Sequence, residues 1–352
     1  MTALLTPLST PPNRAVPQLR SELSRLTHRR LYRVLTLLLL VGIILVSSIV
    51  FLAAGRSAVP PPEAVAQYER ELQSWDKQFP EYQRGWEQCV AQLPEGVSAD
   101  SGCGPAPDFE RDKPQPDWFY SDPRYDTSQG LPAVAIAVTM AGAALAFVVG
   151  ASSGGAEWSS RSMTLQLLWE PRRLRLLTIK WLALGLVTAA TAAVAMATGL
   201  AMGAVTGWLH GIPESTLPSG FYGELAGTAG RGLVLVVIAA TFGYAIAMLV
   251  RNTGASLGTA FVYLVFVENA VRIGLMRFGS EAYMLTTNSV AFVVPGGLEV
   301  PGRQHEEQLA EGLNTVTTMV QLTNGRALLT VLAYLTIVAV PAVLSFTRRD
   351  VG

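Results

Sequence analysis

Lysine, histidine and cysteine are scarce in this chain of 352 residues. It holds only Lys77, Lys113 and Lys180, three histidines and two cysteines. No lysine closes a G-x-x-x-x-G-K-[ST] loop, so the chain lacks a nucleotide-hydrolysing P-loop of its own. His28, His210 and His305 are scattered, with no H-E-x-x-H and no metal-ligand spacing, so no metal site is expected. Gly150-Ala151-Ser152-Ser153-Gly154 matches the nucleophile pattern G-x-S-x-G, but it follows an apolar helical run and not a strand. The later histidines fall across the membrane from it in the topology below. No catalytic residues are assigned, and the chain is not expected to be an enzyme.

Charge is scarce too. Charged residues make up 15% of the chain and hydrophobic ones 50%. Several apolar runs approach or exceed the ~18 residues that argue for a transmembrane helix. Six spans are expected, at 34–54, 131–150, 179–202, 233–250, 255–271 and 327–346. A backbone in lipid must satisfy its own hydrogen bonds, so these spans are helices. The expected fold is an all-α polytopic membrane protein. The leader before the first span is too long, and its apolar core too extended, for a cleaved signal peptide.

The zero net charge hides an asymmetry. With both termini inside, the inner segments hold fourteen of twenty-six Lys/Arg and four of twenty-six acids. Arginine-dense short loops belong on the cytoplasmic side, which places the chain in the cell membrane with both termini cytoplasmic. The basic clusters then anchor to inner-leaflet lipids and do not read nucleic acid. Before the first span, Leu19, Leu23, Leu26 and Leu31 alternate with Arg20, Arg25, Arg29 and Arg30. That pattern predicts a helix lying on the membrane surface with its arginines facing phosphates.

The inner loop between the second and third spans, within 151–178, is the most informative. Gly154 to Lys180 carries Arg161, Arg172, Arg173, Arg175 and Lys180 against Glu157 and Glu170. A stiff basic segment there can be pushed by a soluble partner. Glu157 is expected to open an inner helix, with Arg172 and Arg173 closing it beside Pro171.

A polar segment at 55–130 follows the first span and falls outside. Val65, Tyr68, Leu72, Trp75, Phe79, Tyr82 and Trp86 form a stripe at helical spacing. Pro80 is expected to kink or split that helix. The stripe is buried within a small helical hairpin, or it caps the exit as a binding surface. Cys89 and Cys103 both lie here, on the oxidising side, and are expected to form one disulfide.

Gly199, Gly203 and Gly207 recur at every fourth residue, and Gly254 and Gly258 repeat the spacing. Small residues so spaced let helices approach closely in lipid, within one chain or along a dimer seam. Glu268 and Arg272 lie one turn apart with Asn269 between them. They read as an i,i+4 ion pair or as pathway and gate residues at membrane depth.

The order of these elements resembles the membrane permeases of type-2 ATP-binding-cassette (ABC) exporters, over roughly 17–351. The resemblance rests on the surface helix, on Gly155-Ala156-Glu157-Trp158 through Trp169-Glu170-Pro171-Arg172-Arg173, on Leu249-Val250-Arg251-Asn252, and on the closing Phe346-Thr347-Arg348-Arg349-Asp350-Val351. It implies a connecting helix at 17–30 and a coupling helix within 157–168 docking in an ATPase cleft. It also implies extracellular gate helices at 279–326, within the loop 272–326. By the same resemblance, Glu157, Trp158, Arg161, Glu170, Arg172 and Arg173 couple to a separate ATPase. That ATPase would bind ATP and Mg, this chain would bind no cofactor, and a second permease copy or paralogue would complete the pathway. The outer segment departs from the simplest members. A membrane-anchored sensor or assembly factor is the alternative reading.

Overall fold

The computed structural model describes residues 15–55, 59–94, 98–120, 122–160, 162–169, 172–212, 217–309 and 312–348. Six of its helices are long and apolar enough to cross a membrane: Arg30–Ala53, Thr127–Ser159, Arg173–His210, Phe221–Val250, Thr253–Gly274 and Asn324–Arg348. The protein is an all-α, multi-pass membrane protein with one β-hairpin at one end.

A surface helix, α1 (Ala15–Thr27), precedes the first span, α2 (Arg30–Ala53). Arg29 between them is extended, at φ −65° and ψ 131°, and turns the chain into the span. The segment between the first two spans contains α3 (Pro62–Ala91), α4 (Ala99–Gly102) and α5 (Phe109–Asp112). Then come α6 (Thr127–Ser159), the short α7 (Ser162–Trp169), α8 (Arg173–His210) and α9 (Phe221–Val250). The fifth span joins α10 (Thr253–Val262), a π-helical segment Tyr263–Val267 and α11 (Glu268–Gly274). Next follow α12 (Leu285–Val293), β1 (Leu298–Leu309), β2 (Gly312–Leu322) and the last span, α13 (Asn324–Arg348).

The centre is the crossing of α6 and α9, and paired glycines create it. A Cβ on Gly150 would overlap the Ala240 carbonyl, and one on Gly243 would overlap that of Phe147. Backbones therefore touch directly, the device that substitutes for a hydrophobic drive between helices in lipid. On α8, Gly203 and Gly207 face the start of α6. Added Cβ atoms would stand 2.8 Å from Leu131 and 2.6 Å from Thr127. Gly199 lies against Val134 and Val138 of the same helix. Gly254 meets only the side chain of Asn252, and nothing lies within 4 Å of a Cβ on Gly258, so this second pair packs on no neighbouring helix.

The bundle has two distinct ends. At one, α1, α7, the start of α8 and the end of α13 share a core around Leu26, Met163, Leu177 and Phe346. At the other, the end of α2 meets the start of α6 and the end of α8. Gly55 donates to the Pro123 carbonyl at 2.7 Å, and Tyr125 donates to that of His210 at 2.8 Å.

Three expectations fail here. The helix around Pro80 is not split: α3 runs unbroken for 30 residues. Aromatic contacts flank the proline, with Trp75, Phe79 and Tyr82 packed along one face and Phe79 edge-on to Phe109 at 5.2 Å. Nor is there a two-helix hairpin. The returning chain clasps one long helix through Tyr68–Phe119, Trp86 Nε1 donating to the Gly104 carbonyl, and the Cys89–Cys103 disulfide. Finally, ahead of α13 the described residues of the stretch 279–326 form one helix, α12, a 3₁₀ turn (Ser280–Tyr283) and an antiparallel β-hairpin, where gate helices were expected. The β-branched run Thr315-Val316-Thr317-Thr318 fits a pleated surface better than a helix.

Candidate functional site

The strongest constellation lies at the α1 end, where α1, α6 and α8 converge on a buried ionic cluster. Lys180 and Glu157 are each 4% exposed. Lys180 Nζ donates to Glu157 Oε1 at 2.8 Å and to Glu22 Oε1 at 3.2 Å. Arg29 Nη2 lies 3.7 Å from the same Glu157 oxygen, and Arg25 Nη1 donates to Glu22 at 3.4 Å. One ammonium thus ties three helices together. Removing one partner from such a cluster typically costs about 3–5 kcal/mol, because a buried charge is left uncompensated.

Glycines make room for this cluster. Gly154 lies against the Tyr244 ring, and a Cβ on Gly155 would overlap Thr253. The turn between α9 and α10 can therefore close onto the end of α6. That turn needs Arg251 in the left-handed region, at φ 57°. Asn252 then caps α10 by accepting from Ala255 N at 3.0 Å. Trp158 joins this corner to the last span. The Arg251 guanidinium stacks 4.3 Å from its ring centroid, its Nε1 donates to Met248 Sδ, and its ring meets Phe346 edge-on. Arg173 Nη1 donates to the Phe346 and Thr347 carbonyls at 3.0 and 3.3 Å, placing a cation at the C-terminus of α13.

The short helix α7 is suspended from this assembly. Met163 is fully buried beneath it, and Ser162 Oγ donates to the Glu157 carbonyl. Its outer face presents Leu165 and Leu168, 61% and 77% exposed. A cavity of about 580 Å³ opens beside it, lined by Arg25, Arg29, Arg30, Ser153 and Glu157 among others.

Several expected roles are corrected by this geometry. The inner helix is Ser162–Trp169, and Glu157 and Trp158 complete α6 instead of opening it. Glu157 faces inward to Lys180, so it is not available to a docking partner. Arg172 and Arg173 close no helix: Arg172 is the exposed N-cap of α8, and Arg173 reaches across to α13. Arg161 and Glu170 lie outside the described residues. Of the expected membrane anchors, Arg20, Arg25 and Arg30 are exposed, but Arg29 is half-buried against Glu157. Leu19, Leu23 and Leu26 pack on the protein core and not on lipid, whereas Leu31 belongs to α2 and is exposed.

A second polar network lies at the opposite end. Glu268 and Arg272 form no i,i+4 pair. Glu268, 2% exposed, accepts from Thr286 N at 2.8 Å and Thr286 Oγ1 at 2.5 Å, and so caps the first turn of α12. Arg272 pairs instead with Glu281 at 2.9 Å and donates to Thr286 Oγ1. Asn269 is exposed, and its Nδ2 donates to the Leu264 and Val265 carbonyls. The other end of α12 is held by Asn324, whose Nδ2 donates to the carbonyls of Ala291, Phe292 and Val294. Among the described residues no cluster of His, Cys, Asp and Glu has metal-binding geometry.

Sequence reasoning missed Lys180 and Glu22 as the heart of the first cluster. It counted Lys180 with the basic loop, although an intramembrane lysine among twenty-three arginines is itself a signal. Comparison with family models and with curated proteins finds no match to this chain.

Proposed function

We propose that this chain is the membrane permease subunit of an ATP-driven exporter in the cell membrane. It would work with a separate ATPase, which binds ATP and Mg, and with a second permease copy or paralogue. The observation that carries the reading is α7. It is a short helix with two exposed leucines, hung between two spans at the arginine-rich end of the bundle.

The physical logic is transmission. A push on α7 reaches α6 through Ser162 and the buried Met163, and reaches α8 through Glu157 and Lys180. A cluster of buried charges resists shear better than apolar contacts alone, because sliding by one turn strands ions without partners. Six spans return the chain to the side it started from. The density of arginine at the α1 end supports a cytoplasmic position for both termini and for α7. The contact residues then become Leu165, Leu168 and Arg172, while Glu157, Arg173 and Trp158 hold the corner that receives the movement.

Co-purification tests this directly. The chain is expressed with its cognate ATPase, alone and with Leu165→Glu and Leu168→Glu together. Loss of the ATPase from the purified complex, with the permease still inserted, is the expected result. Retention of the ATPase at wild-type stoichiometry and turnover removes α7 as the docking element. The outer segment alone favours the alternative of a membrane-anchored sensor or assembly factor, and that reading requires no response to the α7 variant.

A further inference from the structure

We infer that the groove between α9, the fifth span and α13 holds the acyl chain of one bilayer lipid. The site is a slot of about 460 Å³. Its wall follows α9 from Leu235 to Val250, about 22 Å along the helix axis. Its mean cross-section is therefore about 20 Å², the width of a single carbon chain at contact spacings near 4.5 Å. A whole helix, about 10 Å across, is wider than such a slot.

The chemistry of the lining agrees. The few hydroxyls present are already used. Thr259 Oγ1 donates to the Ala255 carbonyl, Ser289 Oγ to that of Leu285, the Tyr334 hydroxyl to that of Tyr283, and the Tyr263 hydroxyl pairs with that of Tyr334. Nothing polar is left to recognise a head group inside the slot, and an apolar chain strands no polar atom. The mouth is flanked by Val250, Leu264 and Ile337, all exposed on the outer surface of spans. What lies outside that surface in a bilayer is hydrocarbon.

The fifth span creates the opening. It packs on α6 and α9, and it reaches α13 through the edge-on pair Tyr263–Tyr334, with ring centroids 6.2 Å apart. Tyr263 and Leu264, which line the slot, begin the π-helical segment. Asn269 satisfies two carbonyls in that segment, so the wide turn is built in. Such π segments concentrate at functional positions. A lipid tail gains no hydrophobic energy by moving from bilayer to slot, so its residence comes from close packing along the walls.

The test uses the full-length chain without any ATPase, so its outcome is independent of the transport reading. Reconstitute the protein in vesicles of phosphatidylethanolamine and phosphatidylglycerol containing a phospholipid with a diazirine at mid-tail. Irradiate, digest and map the adducts. Slot-facing Leu235 and Ile238 should label about tenfold above Leu45 and Val46 of α2, which are more exposed. Ala239→Phe with Ala260→Phe fills the slot, and labelling there should fall to the α2 level. In parallel, native mass spectrometry of the wild-type protein after delipidation should retain one phospholipid per chain. Equal labelling of the slot and α2, unchanged labelling in the filled variant, or no retained lipid overturns the inference. The wild-type measurement stands even where the filled variant fails to fold.

Discussion

The α1 end and the α9–α13 side solve the same problem in opposite ways. Both bring helices together where water does not assist. At the α1 end the contact is ionic and buried, with Glu22, Glu157 and Lys180 interlocked across three helices. On the α9–α13 side, the hydroxyls bond to backbone carbonyls and the walls stand apart around an apolar slot. The ionic corner has one good arrangement, because any slip strands a charge. The apolar side has many, since carbon packs on carbon at any register. The difference separates a region suited to transmit position from one suited to change shape.

The sharpest way to break this contrast is Lys180→Met. It leaves two carboxylates buried at the junction and should lower stability by about 3–5 kcal/mol. The thermal unfolding midpoint in detergent reads this out. A loss below 1 kcal/mol would show that Glu157 and Glu22 are neutralised or hydrated, and the ionic corner would be no more specific than the slot. Converting Glu22 and Glu157 to Leu in the same protein should restore most of the loss.

Glu268→Ala addresses the polar network at the far end. It strips the carboxylate that caps α12 and should cost about 1–3 kcal/mol. Amide exchange should quicken over 285–289 while the α1 end stays protected. Equal deprotection at both ends would mean that the two networks act as one unit.

Tyr334→Phe removes the hydrogen bond to the Tyr283 carbonyl and the pairing with the Tyr263 hydroxyl on the slot side, each worth about 0.5–1.5 kcal/mol. The same deletion style at the ionic corner costs more, and the ratio of the two losses quantifies the contrast. A tyrosine loss as large as that of Lys180 would erase it.

The smallest effect is a baseline outside both regions. In the segment between the first two spans, the Arg111 hydrogen bond to Asp112 and the Arg124 hydrogen bond to Asp122 hold both carboxyls below their usual range. A carboxyl depressed in the folded state adds stability above its unfolded pKa, and that stability is lost as pH falls through the folded value. The unfolding of this segment should thus be flat between pH 5 and 8 and weaken only below about pH 4. Both pairs lie at the surface and are only partly covered, so the change should be slight and screened by salt. A steep change near neutrality would point to a buried group elsewhere.

Hydropathy made the six spans legible, because lipid enforces long apolar helices. It did not mark their true length. The second span runs to Ser159 and the third begins at Arg173, since the backbone ladder continues past the apolar core. Composition located the α1 end but not its wiring. Glu157 and Lys180 are 23 residues apart, and their meeting depends on the α6–α8 register, which no local spacing encodes. The i,i+4 spacing of Glu268 and Arg272 was misleading for a related reason: each finds a better partner on the turn or helix that folds over it. Of the glycines at the α6–α9 crossing, Gly150 stands four residues before Gly154 but reads as part of a nucleophile pattern, and Gly243 has no glycine four residues away, so only the crossing itself reveals that they pair.

Gly55 and Pro123, joined by a single 2.7 Å hydrogen bond, flank the whole segment inserted between the first two spans. Entry and exit share one seam, so the bundle senses where the insert attaches but not how long it is. Lengthening a closed loop adds entropy only logarithmically, about 0.6 kcal/mol per doubling. Selection can therefore enlarge, trim or exchange everything beyond that seam while the spans beneath keep their register.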